Sequence, residues 1–300
     1  MLRLSRQTPQ PETAIVSRKI IDLRSRPAFL HDFYGATPGT PGFETARWLN
    51  RRVGTRGDDA HFTRSHTLDG FLADVREAGI TAAAIIGRDT PGVSTSNDRV
   101  HELVAGRPEL IGVGSVDPRR QGTAAAVAEA GRAVTVLGLK GINLEPGFLD
   151  PAIPFDDPSL LPVYDACDQL KVPVFLMTGP TTPDPCFNDP APVGRIARAF
   201  PNLNIVIHHG FWPHVAEIIG IAFRYPNVHI VPDMYIFLPG SRLYVEAANG
   251  FLRDQLLFGS SYPFRPMKQT VEDFLKLGFD GAVLDGLLFD NARRLLALDL

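Results

Sequence analysis

Cysteine is nearly absent: only Cys167 and Cys186 occur in 300 residues, which excludes a disulfide framework and fits two reduced thiols. An excess of either charge is also missing. The formal net charge is −3 and the pI about 6.2, so general nucleic-acid or membrane-surface binding is not expected. No apolar run is long enough to cross a bilayer. The polar, proline-containing start lacks the continuous apolar stretch of a signal peptide. Residues 1–14 are therefore read as a flexible extension and the cytoplasm as the default location. No glycine-rich dinucleotide fingerprint follows the first apolar run, and neither internal repeats nor low-complexity tracts are found.

What is present is a regular alternation of short apolar runs with amphipathic stretches. Strands are expected over 15–23, 80–86, 110–116, 137–144, 172–177, 204–207, 228–232 and 255–258. Runs such as Ile205-Val206-Ile207 are apolar throughout, as strands buried on both faces must be. Helices are expected between them, for instance over 67–78 with Thr67 as N-cap and Gly79 beyond the end. Eight such β/α units in this length predict a single α/β domain, a (β/α)8 TIM barrel over 15–300, with a long loop, 24–66, after the first strand. That loop is expected to act as a lid or a dimer contact.

In such a barrel the chemistry lies at the C-terminal strand ends. The polar residues there are Arg24 and Arg26, Arg88, Asp117, Asn143 with Glu145, Thr178, His208, Asp233 with Tyr235, and Ser261 with Tyr262. Three strand-end stretches stand out: Ile21-Asp22-Leu23-Arg24-Ser25-Arg26-Pro27, Ile207-His208-His209-Gly210 and Phe258-Gly259-Ser260-Ser261-Tyr262-Pro263-Phe264. Their order and spacing resemble the amidohydrolase-2 branch of the amidohydrolase superfamily, which typically carries D-x-H-x-H, then H-x-G, then G-S-D-Y-P. Gly138-Leu139-Lys140-Gly141-Ile142, Tyr225-Pro226-Asn227-Val228 and the closing Asp290-Asn291-Ala292-Arg293-Arg294-Leu295-Leu296 add to the likeness.

The resemblance implies five metal-ligand positions, and four are changed. Arg24 and Arg26 stand for two histidines, Met177 for a third and Ser261 for the aspartate, while His208 is retained. A catalytic zinc needs about three convergent protein donors. Guanidinium is permanently cationic and donates only, so no metal and no other cofactor is expected. A relocated metal set built from His31, His209 and Asp233 is an alternative reading.

Arg24 and Arg26, two apart on a strand, point to one face and form a natural clamp for a carboxylate. They would otherwise be paired structurally with Asp22, Asp117, Glu145 or Asp233. His208 is expected as acid/base, with Glu145 or Asp233 as a further base. Ser261, Tyr262, Tyr235 and Trp212 are expected around the substrate. The expected function is metal-independent hydrolysis of a small carboxylate-bearing lactone, ester or amide. The alternatives are decarboxylation or hydration of an unsaturated or aromatic acid, and an inactive barrel binding an anionic metabolite. A homodimer is compatible with this fold.

Overall fold

The computed structural model describes residues 18–55, 57 and 59–300. The extension expected over 1–14 lies outside them. Seven parallel strands run in sequence order around the sheet: β1 Ile21–Ser25, β2 Ala82–Ile86, β3 Leu110–Ser115, β4 Ile142–Leu144, β5 Val174–Met177, β6 Ile205–His208 and β7 Val228–Val231. The eighth position, residues 255–262, closes the barrel without forming a regular strand. On one side Ile230 N donates to Gln255 O (2.8 Å) and Leu257 N to Ile230 O (2.9 Å). On the other Leu23 N donates to Phe258 O (3.1 Å), Ser261 N to Arg24 O (2.8 Å) and Arg26 N to Tyr262 O (2.9 Å). The expected eighth strand over 255–258 is thus reduced to an isolated bridge at Leu256, with a second at Tyr262, and between them Ser261 turns into the left-handed region at φ 61°.

The two-residue period of the strands divides the core into two layers. Ile21, Leu23, Ala82, Ala84, Ile86, Ile111, Val113, Phe175, Val206, Val231 and Leu257 pack inside the barrel. Alternating residues such as Ile85, Val174, Leu176, Ile205, Ile207 and Ile230 pack outward, together with apolar faces of the helices. The expected helix at 67–78 is observed as Leu68–Glu77, with Thr67 Oγ1 accepting from Gly70 N at 3.1 Å.

β1 carries an irregularity that matters for the mouth. Asp22 pairs with Ala83 and Ser25 with Ile85, so three steps on β1 match two on β2. One extra residue inserted in this way re-aims the side chains beyond it. Leu23 therefore stays in the interior core while Arg24 and Arg26 both face the mouth cavity.

The loop after β1 covers that mouth. It forms short turns at Ala28–Leu30 and Asp32–Tyr34 and a helix at Pro41–Arg52. The helix begins where Thr40 Oγ1 accepts from Phe43 N (3.2 Å), with Pro41 in its first turn. It buries Phe43, Ala46 and Leu49, one helical face at spacing three. These join Tyr34, Val53, Phe62, Met234, Tyr235 and Phe264 in a cap cluster of their own. Among the described residues no helix is long and apolar enough to cross a membrane.

Candidate active site

The cavity at the barrel mouth is lined by Arg24, Arg26, Arg88, Met177, Thr181 and His209, and walled by Phe33, Leu49, Phe148, Met234 and Phe264. Its volume is about 20 Å³, room for roughly one water. The cap closes directly onto the polar strand ends.

Two of the three guanidiniums are accounted for. Arg26 donates from Nε to Ile86 O (2.8 Å) and from Nη2 to Gly87 O (3.1 Å) and Glu145 Oε1 (2.6 Å). Arg88 lies 3.0 Å from Glu145 Oε2 and donates from Nε to Thr90 Oγ1 at 2.9 Å. Glu145 also accepts from Asn143 Nδ2 at 3.0 Å. Burial pushes the Glu145 carboxyl up, but Arg88, Arg26 and Arg24 outweigh it and hold it at about 2. It is a fixed counter-ion, too weak a base to take a proton near neutrality. Rings cover both arginines: Tyr34 lies 5.4 Å from the Arg26 guanidinium, and Phe33 and Phe148 lie 5.2 and 4.9 Å from that of Arg88.

Arg24 differs. It is buried, its Nη2 reaches only Met177 Sδ at 3.6 Å, and its Nε has no hydrogen-bond partner. Among the described residues no carboxylate forms an ion pair with it. Burial and the neighbouring Arg26 push its pKa down to about 9, with Asp233 and Glu145 pulling the other way. Of the other acids considered as partners, Asp117 caps the next helix, accepting from Arg119 N and Arg120 N (2.9 and 3.1 Å). Asp22 accepts from Arg24 N (2.9 Å), Ser260 N (2.8 Å) and Ser260 Oγ, which ties β1 to the eighth position.

The histidine that lines the cavity is His209, not His208. His209 Nδ1 donates to Asp233 at 2.8 Å, and its backbone N donates to the same carboxylate at 3.1 Å. The Tyr235 ring stands edge-on at 5.0 Å. Burial lowers the His209 pKa while Asp233 opposes the shift. The ring is therefore neutral, with Nδ1 protonated and the Nε2 lone pair uncommitted among the described residues. His208 is fully buried beside Phe175 and donates from Nε2 to Leu23 O at 3.1 Å, leaving Nδ1 unpartnered. Burial, with Arg24 adding, holds its pKa well below the ordinary value. The doublet His-His-Gly carried the signal, since Gly210 permits the left-handed turn (φ 58°) that brings the second histidine inward.

The remaining expected residues lie around this core. Ser261 is buried with Oγ unpartnered. Tyr262 turns away from the cavity, its hydroxyl donating to Asp74 Oδ2 (2.6 Å) with His61 O also close at 2.8 Å. Tyr235 Oη sits beside Thr181 without a well-formed hydrogen bond. Trp212 stacks on Tyr235 at 5.6 Å and donates to Pro239 O at 2.9 Å, outside the lining. Phe33, Phe148, Phe264 and Leu49 were not singled out by the sequence, because aromatic and aliphatic loop residues carry no chemical signature.

A divalent cation does not fit this donor set. Two guanidiniums at the strand-1 positions repel it, Met177 engages Arg24, and His208 Nε2 is committed to a carbonyl. Among the described residues no group of three or more His, Cys, Asp or Glu converges to hold a metal. The relocated set is not assembled either. His31 Nδ1 accepts from Phe33 N (3.1 Å) at the cap turn, while His209 pairs with Asp233 alone.

The parallel strand order and the polar cavity at the strand ends define an α/β-barrel protein with its site at the barrel mouth. The amidohydrolase family model matches residues 44–298, and the chain belongs to that family. It is similar to an uncharacterized TIM-barrel protein from Bordetella bronchiseptica, at 33% identity and TM-score 0.85, covering 93% of this chain and 98% of that one. It is also 27% identical to 2-amino-3-carboxymuconate-6-semialdehyde decarboxylase from Dictyostelium discoideum over 68% of this chain. That match spans 66% of the relative, just under two thirds of its length. A probable 2-pyrone-4,6-dicarboxylic acid hydrolase from Acinetobacter baumannii shares the fold at 15% identity and TM-score 0.62, covering 93% of this chain and 99% of that one.

Proposed function

We propose that the chain is an enzyme that acts, without a divalent metal, on a small carboxylate-bearing lactone or ester. The observation that carries this reading is Arg24: a buried guanidinium with no carboxylate partner among the described residues, facing the same cavity as a His–Asp pair. A buried unpaired charge is strongly unfavourable, and an anionic ligand relieves it. In this scheme Arg24 binds the substrate carboxylate, and Arg26 and Arg88, held by Glu145, set the positive surroundings. His209 Nε2 takes a proton from water as the oxygen attacks the carbonyl. Asp233 keeps the ring in the required tautomer and offsets the imidazolium. The same proton then passes to the departing alkoxide oxygen, so the acid/base role expected of His208 moves to His209.

A second reading is favoured by the decarboxylase among the relatives. In it the carboxylate on Arg24 leaves as CO2, and His209, having first taken a proton from solvent on Nε2, delivers that proton to the carbon. Product analysis separates the two: hydrolysis adds water to the substrate, decarboxylation releases CO2.

With a substrate that turns over, His209→Gln should lower kcat by about 10²–10⁴-fold, while His208→Gln should change it far less. Equal losses in the two variants, or full activity in His209→Gln, would overturn the assignment. Entry also requires the cap residues Phe33, Leu49 and Phe264 to withdraw, since the closed cavity has no room for such a molecule.

A further inference from the structure

The chain leaves β6 through three consecutive left-handed residues: His209 (φ 65°), Gly210 (φ 58°) and Phe211 (φ 59°). For residues with a Cβ this conformation costs roughly 1–2 kcal/mol each, so the surroundings must hold it. Asp233 Oδ2 accepts from His209 N at 3.1 Å. Thr178 Oγ1 donates to His208 O (2.6 Å) and accepts from Phe211 N (3.0 Å). From the opposite side Tyr244, fully buried on the helix Arg242–Ala248, donates its hydroxyl to Gly210 O at 2.6 Å. A Cβ at position 210 would lie 2.6 Å from that hydroxyl oxygen, so the tyrosine fills the space any side chain there would need. Neither hydroxyl residue lines the cavity, and the proposed chemistry uses neither.

We infer that Tyr244 is a positioning residue which, with Thr178 opposite, clasps the left-handed turn so that His209 faces the cavity with Nδ1 on Asp233. The inference rests on the proposed role of His209 only for its effect on turnover; the effect on the ring's geometry stands apart from it. Residues held in sparsely populated backbone regions persist only where their surroundings over-determine them, and here His208 O, His209 N, Gly210 O and Phe211 N each meet a side-chain partner.

The test uses the full chain with ¹⁵N-labelled histidine, the His209 ring being assigned by its loss in His209→Gln. Native protein is expected to show a single neutral tautomer with Nδ1 protonated. In Tyr244→Phe, which deletes only the hydroxyl, the two tautomers should interconvert and average. kcat should fall on the order of 10- to 100-fold with KM nearly unchanged, as for a displaced catalytic group. A lower Tm with the His209 signals unchanged would mean that Tyr244 is only structural and would overturn the inference. If Tyr244→Phe does not fold, Thr178→Val removes the opposing hydroxyl and is read in the same way; an unperturbed His209 there overturns it equally. If His209→Gln keeps full turnover while Tyr244→Phe still perturbs the ring, the proposed function falls and the positioning role stands.

Discussion

The guanidinium of Arg24 sits among a thioether, a histidine ring and a second arginine, an environment that favours its neutral neighbours and penalises its own charge. Its presence lowers stability in the absence of an anionic ligand. Arg24→Met should therefore raise the unfolding free energy by about 1–4 kcal/mol in a denaturant titration, while abolishing carboxylate binding. A loss of stability would show that the guanidinium is satisfied by something other than ligand. Glu145 predicts the opposite outcome. It is the counter-ion for Arg26 and Arg88, so Glu145→Gln should lower stability by about 3–5 kcal/mol, because two buried cations lose their partner. A stability near that of the native chain would mean that these arginines do not depend on it.

At the scale of elements, the site depends on places where regular structure breaks. The extra residue in β1 lets Leu23 fill the barrel while Arg24 reaches the mouth. The eighth position approaches closely only because residue 259 is glycine: a Cβ there would lie 2.6 Å from Val231 Cγ1 and 2.8 Å from Arg24 Cβ. Gly259→Ala should cost about 1–3 kcal/mol through overpacking and displace the Arg24 side chain; thermal unfolding and a crystal structure of the variant check both. These breaks explain what the sequence shows poorly. Seven strands are legible because strands covered on both faces must be apolar throughout, as Val174–Met177 and Ile205–His208 nearly are. At the eighth position the apolar Leu256 to Phe258 predict a full strand, whereas the isolated bridges observed at Leu256 and Tyr262 depend on backbone geometry the sequence does not display. At the end of β6 alternation places His208 inward, and Gly210 is the one sequence sign of the left-handed turn that brings in its neighbour His209.

On the scale of the whole molecule, the barrel is closed by a seam between its first strand and its last segment, and Asp22 lies in that seam. Burial pushes its carboxyl up to about 6, against hydrogen bonds from Ser260 Oγ, Arg24 N and Ser260 N. The folded state therefore holds this proton more tightly than the unfolded chain, whose aspartate titrates near 3.8. Its contribution to stability should fall by roughly 3 kcal/mol as pH rises from about 4 to 6, and level off above. Unfolding measured across that window should slope downward in the native chain relative to Asp22→Asn. Parallel curves would show that the carboxyl titrates normally. The closed mouth likewise belongs to the whole molecule. The arginine pair was legible as strand-end chemistry, but the aromatic cover that Phe33, Phe148 and Phe264 place over the strand ends arises only when three distant loops meet.

The positive charge of Arg24 is part of the polypeptide. A bound ion is shared with every chelator and competing protein in its surroundings, and its occupancy varies with supply. The charge on Arg24 is installed when the chain is synthesised, at one copy per molecule. Starvation for trace elements, a strong sequestering agent or a mismatched ion leaves it in place.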